Sequence, residues 1–251
     1  MLNVIKANFY KLSKNRLLKF ATIGLLVFMV IFLGILTAIE FFKGDSVSNL
    51  INGAVVFQEG IASIEIFSIL FGALAIIQVS DDYQDGLLKN VFSKGIGRSS
   101  YFLGNSIAIS SLAYVFFIIY LIISVGFATY FFGWGELKSI GLMFLNLFTV
   151  FCLLVAIITL AMTSTILLKK SGKAVLLFGG IALVPYILEI FNIWMKINFN
   201  FKRISLFNQI NQVSTEILSI NSLITAILLA LGYIFICSWF SIFLLKKQDI
   251  K

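Results

Sequence analysis

Long apolar runs constrain this 251-residue sequence more than any other feature. A helix needs about 20 apolar residues to cross the ~30 Å hydrocarbon core of a bilayer. Six segments meet that length, at about residues 20–42, 61–80, 102–130, 139–168, 174–195 and 219–245. Hydrophobic residues make up 60% of the chain and charged residues 12%, too few to cover a soluble protein of this size. The sequence therefore predicts an all-α membrane protein, with six transmembrane helices in a single domain over residues 1–251.

The distribution of lysine and arginine predicts how these spans are oriented. If the N-terminus lies in the cytoplasm, the cytoplasmic segments are residues 1–19, 81–101, 169–173 and 246–251. These segments hold 14 of the 19 Lys and Arg residues, and cytoplasmic loops are the ones that carry excess positive charge. We therefore expect both termini in the cytoplasm. The net charge of +8 is then explained by topology, and no nucleic-acid partner is expected.

Several kinds of active site are excluded by composition. The chain has no histidine, which rules out His-based catalysis, His-ligated zinc and haem. Its two cysteines, Cys152 and Cys237, lie inside apolar runs, where packing is the expected role. We expect no catalytic residue, no metal site and no cofactor in this chain.

The N-terminal segment, residues 1–19, has the pattern of an interfacial amphipathic helix. Its apolar residues at helical spacing are Leu2, Ile5, Phe9 and Leu12. The opposite face carries Lys6, Lys11, Lys14 and Arg16. The segment is either a membrane anchor or an elbow that braces the first span or contacts a cytoplasmic partner.

A second amphipathic helix is predicted between the second and third spans, within residues 80–98. Ser80 or Asp81 would cap its N-terminus, and Gly95 would end it. Acidic residues would stand near its positive end and Lys89 and Lys94 near the other. One face would carry Tyr83, Leu87, Leu88, Val91 and Phe92. Such a helix either rests on lipid head groups or docks into a groove of a protein partner.

Together with the six-span plan, this segment resembles the ABC-2 type permeases, the membrane subunits of ABC exporters. The residues that carry the resemblance are Asp82, Asp85, Gly86, Leu87, Leu88 and Arg98, followed by Tyr101-Phe-Leu-Gly104. The sequence departs from the family at Asn105, where members often have lysine. The resemblance implies that the segment is a coupling helix, which docks on a separate ATP-binding subunit. Its implied docking residues are Asp82, Tyr83, Asp85, Gly86, Leu87, Leu88, Val91, Phe92 and Arg98.

The resemblance also implies the rest of the complex. Two ATP-binding subunits would hold ATP and Mg, and a second permease, identical or homologous, would complete the translocation path. This chain has no P-loop of its own, because its one Gly-Lys pair, Gly172-Lys173, is followed by Ala174 and preceded by Leu167 where the first glycine should stand.

The implied setting is the cell membrane of a Gram-positive bacterium. The implied cargo is an amphipathic or antimicrobial peptide, such as a phenol-soluble modulin or a lantibiotic or bacitracin-like compound. Export of lipid, polysaccharide or drug stays open, as do a secondary transporter or channel working without ATP and a structural or assembly factor.

Two carboxylates and one proline stand inside predicted spans. Glu65 and Glu189 lie nearer the outer face than the middle of their spans, so they either reach head groups or a water-filled vestibule, or line the outer mouth of a translocation path. In a secondary transporter they would instead bind protons or a cation. Pro185 is expected to kink the fifth span. We expect residues 43–60 to form an outer loop, and residues 196–216 to form short outer helices, as the resemblance implies.

Overall fold

The structure is a computed structural model that describes residues 2–16, 18–20, 22–24, 27, 31, 34, 52–135, 140–195, 201–215 and 220–248. Over these residues every regular element is helical. The helices are α1 (Leu2–Lys14), α2 (Gly53–Ala62), α3 (Ile64–Gln84), α4 (Leu87–Ser93), α5 (Arg98–Phe132), α6 (Ile140–Leu168), α7 (Ser171–Met195), a 3-10 helix (Phe201–Ile204), α8 (Leu206–Thr215) and α9 (Ile220–Lys247).

Five of the described segments are long and apolar enough to cross a membrane. They are α2 with α3 taken together, and α5, α6, α7 and α9. An all-α, multi-pass membrane protein is therefore confirmed at the level of helix content and length. Of the predicted first span, residues 20–42, the structure describes only residues 20, 22–24, 27, 31 and 34, so the count of six stays a prediction.

Helix α6 occupies the centre of the bundle. It packs against α3, α5, α7, α8 and α9, and its side chains from Thr149 to Ile166 are nearly all buried. A polar contact holds it to α9, where the Ser241 hydroxyl donates to Thr163 Oγ1 at 2.9 Å. Because lipid gives little hydrophobic drive for helices to associate, close packing and such hydrogen bonds are what hold these helices together.

The prediction of an outer loop at residues 43–60 was partly wrong, because the described part of this segment forms most of α2. Asn52 caps this helix by accepting a hydrogen bond from the Val55 amide at 2.9 Å. The amides of Gly53 and Ala54 donate to carbonyls just beyond α5, at Gly133 and Trp134. This ten-residue helix is thus supported by contacts with α5 and α8 that local sequence does not reveal.

Both described ends of the chain lie at the same end of the bundle. We call this the basic end: α3, α6 and α9 finish there, and α5 and α7 begin there. Its described basic residues are Lys6, Lys11, Lys14, Arg16, Lys19, Lys89, Lys94, Arg98, Lys169, Lys170, Lys173, Lys246 and Lys247. The described part of the opposite end holds Lys202 and Arg203.

Helix α1 is packed across the protein and is more than a surface anchor. Val4, Asn8 and Leu12 are buried against the bundle, whereas Phe9, predicted on the apolar face, is exposed. A Cβ built on Gly104 of α5 would lie 2.8 Å from Val4 Cγ1, so a glycine is needed for α1 to approach this closely. The buried face of α1 is therefore rotated from the one predicted by periodicity.

Candidate functional site

The second amphipathic helix exists, but it begins later than predicted. Helix α3 continues past Ser80 and Asp81 to Gln84, so the predicted N-terminal cap at those residues was wrong. The chain breaks at Gly86, which has a φ of 66°, and the separate seven-residue helix α4 follows. Gly95, with a φ of 80°, ends it as predicted. Both breaks use the left-handed conformation that glycine adopts most easily.

This shift changes the electrostatic position of Asp82. The carboxylate stands in the last turn and a half of α3, near the negative end of the helix dipole, where an acidic residue is disfavoured. Its side chain is also buried, with only 7% exposed. A buried charge in this position requires partners.

Two residues supply those partners. Lys11 of α1 forms an ion pair with Asp82 Oδ1, and the Tyr101 hydroxyl of α5 donates to Asp82 Oδ2 at 2.6 Å. We call Lys11, Asp82 and Tyr101 the Asp82 network. It ties α1, α3 and α5 together at the basic end. Lys11, predicted to lie on the outward face of α1, turns inward.

Most of the predicted docking face of α4 is covered by the protein itself. Leu88 is 1% exposed and lies in the core. Phe92 packs edge-on against Tyr101, with ring centroids 5.7 Å apart, and Val91 is half-buried. Of the predicted set, Asp85, Gly86 and Leu87 remain exposed, and Asn90 and Lys94 join them on the outward side.

Arg98 connects α4 to the end of α9. Its guanidinium lies over the Phe92 ring, 5.6 Å from the centroid. Its Nη1 also donates to the carbonyls of Leu245 and Lys246, the latter at 2.6 Å. A cation at a helix C-terminus is favourable because the last carbonyls lack partners within the helix. Arg98 is therefore a structural link between three helices, not a free surface charge.

Tyr83 makes a third connection. Its hydroxyl donates to Gln248 Oε1 at 2.9 Å, and Gln248 Nε2 donates to the carbonyl of Ile166 at 3.0 Å. The end of α3 is thereby joined to the ends of α9 and α6. Gln248 and Lys11 were missed by sequence reasoning, since each lies far along the chain from its partner and no local pattern marks it.

Asn105 lies deeper in the bundle, one turn beyond Tyr101. It is fully buried and accepts a hydrogen bond from Gln78 Nε2 at 3.3 Å. Among the described residues, the other amide atoms, Gln78 Oε1 and Asn105 Nδ2, have no hydrogen-bond partner. At the position where the sequence departs from the ABC-2 pattern, the structure thus has a neutral amide pair between α3 and α5.

The remaining predicted residues lie toward the opposite end. Glu65 is in the first turn of α3 and Glu189 is near the end of α7, and both are half-buried. Helices α3 and α7 pack against each other, with Gly72 close to the Phe178 ring. Helix α7 runs unbroken through Pro185. Whether the two carboxylates line a path stays a prediction.

Comparison with known proteins adds no family assignment. No protein-family model matches the sequence. A search of curated proteins also gives no significant match.

Proposed function

We propose that this chain is the permease subunit of an ABC exporter, with α4 as the helix that couples it to a separate ATP-binding subunit. The observation that carries the proposal is the form of α4. It is a short helix bounded by Gly86 and Gly95, inserted between two apolar helices, with one face exposed at the basic end and the other attached to the bundle. Helix-in-groove docking needs such an exposed, amphipathic element.

The contacts of α4 provide a mechanical route into the membrane helices. A push on Asp85, Leu87 or Asn90 would reach α5 through Phe92 and Tyr101. It would reach α9 through Arg98. Coupling of this kind travels through packed and hydrogen-bonded elements that move as a unit.

The topology follows from the same proposal. The ATP-binding subunits act in the cytoplasm, so the basic end faces inward, as the positive-inside rule also favours. Both termini are then cytoplasmic, and residues 20–42 supply the sixth span. The host membrane is the bacterial cell membrane.

A second permease, identical or homologous, would complete the translocation path. Helix α7 is the least buried of the five candidate spans, which supports an additional partner or lipid along it. Glu65 and Glu189 would stand near the outer mouth of the path, where carboxylates suit a cationic amphipathic peptide. Such a peptide, of the antimicrobial or modulin kind, is the cargo we propose.

Co-expression with the ATP-binding subunit encoded nearest to it tests this proposal. We expect the two proteins to purify as one complex, and the complex to hydrolyse ATP. Peptide export from cells should stop with vanadate and be indifferent to a protonophore. Export that stops with the protonophore and ignores vanadate would instead establish a secondary transporter.

A further inference from the structure

A groove of about 850 Å³ opens at the basic end, apart from α4. One wall is the end of α3, with Tyr83 and Gln84, and the other is the turn between α6 and α7. The Tyr83 hydroxyl already donates a hydrogen bond to the Gln248 side chain, and the Gln84 amide donates one to the Ser80 hydroxyl. The α3 wall of the groove is therefore held in place by contacts already formed within the chain.

The described charged residues of this groove are all basic. Within the described part of the chain, its lining includes Lys169, Lys170 and Lys173 and no carboxylate. All three lysines are exposed, and none of them has an ion pair among the described residues. Three ammonium groups within five residues create a strong local attraction for an anion with several acceptor oxygens, such as a phosphate.

The surface beside the lysines is apolar. Leu167 at the end of α6 is 44% exposed, and Val175 and Leu176 in the first turns of α7 are 44% and 77% exposed. These residues lie along helices that are long and apolar enough to span a membrane, on the bilayer side of the lysines. A cationic groove beside an apolar flank matches the anionic head group and the acyl chains of a phospholipid.

We infer that this groove binds the head group of an anionic phospholipid, with the phosphate held by Lys169, Lys170 and Lys173 and the acyl chains lying along Leu167, Val175 and Leu176. Basic pockets between membrane helices on the cytoplasmic side are a known setting for such head groups. The lipid would join α3 to the α6–α7 turn. This site is independent of the proposed export function and would stand if that function failed.

Lipid binding to the purified full-length chain tests the inference. Native mass spectrometry would compare phosphatidylglycerol with phosphatidylcholine, for the parent and for a variant carrying Lys169→Gln, Lys170→Gln and Lys173→Gln. We expect the parent to prefer phosphatidylglycerol and the triple variant to bind it about tenfold more weakly or worse. The matched control, Lys89→Gln with Lys94→Gln and Lys247→Gln, removes three exposed cations from the same end and should bind like the parent.

A second pair of variants isolates charge from shape. A Cβ at Gly172 would meet no atom within 4 Å, so the position accepts a side chain. Gly172→Glu should weaken phosphatidylglycerol binding, whereas Gly172→Gln, of the same size, should not. Equal binding of the two lipids, equal loss in both triple variants, or full competition by inorganic phosphate alone would each overturn the lipid site.

Discussion

Tyr101 of α5 donates a 2.6 Å hydrogen bond to the carboxylate of Asp82 in α3, and the same carboxylate forms an ion pair with Lys11 of α1. One buried side chain thereby sets the relative positions of three helices. The arrangement is costly to break on one side only, because the remaining charge would be left buried without its partner. The Asp82 network is therefore a sensitive point for stability at the basic end.

Replacing Lys11 by Met should destabilise the protein by about 3 kcal/mol, since the Asp82 carboxylate would lose its cation while remaining buried. The double variant Lys11→Met, Asp82→Asn should be more stable than Lys11→Met alone. Denaturant-induced unfolding in micelles measures these two variants, the single variant Asp82→Asn and the parent. Strictly additive effects of the two changes would show that the pair contributes no coupling.

Leu87→Asp should uncouple ATP hydrolysis from transport in the proposed complex, while membrane insertion continues. Leu87 is 38% exposed, so the change removes apolar contact surface for a partner without opening a cavity. Ser93→Asp introduces the same charge at another exposed position of α4 and is the matched control. Normal transport by Leu87→Asp would refute docking through this residue.

Leu88→Ala should lower the free energy of unfolding by about 2–5 kcal/mol, because its side chain is 1% exposed and truncation leaves a cavity. Leu87→Ala, next to it in sequence, should cost well under that amount. Thermal unfolding of the two purified variants compares them directly. Equal losses would mean that α4 is not seated on the bundle by this face.

Lys169→Gly should raise the free energy of unfolding by up to about 1 kcal/mol, because Lys169 has a φ of 57° and an L-residue is strained there. Lys170→Gly is the control. Lys170 has no positive φ, so the added chain freedom should make that variant neutral or less stable. If Lys169→Gly lost as much stability as Lys170→Gly, the result would contradict the prediction that the backbone of Lys169 is strained.

Glu65→Gln should reduce handling of cationic peptides if the carboxylate faces a path at the outer end. Cells carrying the variant would secrete or resist the peptide less well than the parent, and handling of a neutral peptide should be unchanged. Equal performance with both peptides would leave Glu65 as a residue that only reaches the head groups.

Two of the long apolar runs in the sequence coincide with helices of the structure. The spans predicted at 139–168 and 219–245 correspond to α6 and α9 within two residues at each end. Hydrophobic runs of this length have no alternative in a bilayer, because backbone groups there must be bonded within the helix.

The misses have a common cause in contacts between distant parts of the chain. Asp81 and Asp82 were predicted to begin a helix, since acidic residues favour that position. Asp82 instead lies in the last turn of α3, where Lys11, 71 residues earlier in the chain, supplies its counter-charge. The face of α1 was misread for the same reason, as its contact with Gly104 is set by the bundle and not by its own periodicity.

Helix α4 has seven residues, far fewer than the 12 to 15 or so that an isolated helix needs to persist in water. Its helical conformation is consequently stabilised by the packing of Leu88 and Phe92 on the side chains beneath them. A subunit that binds α4 would therefore not need to order a disordered segment first. It would contact a helix that is already packed on the membrane bundle through Leu88 and Phe92.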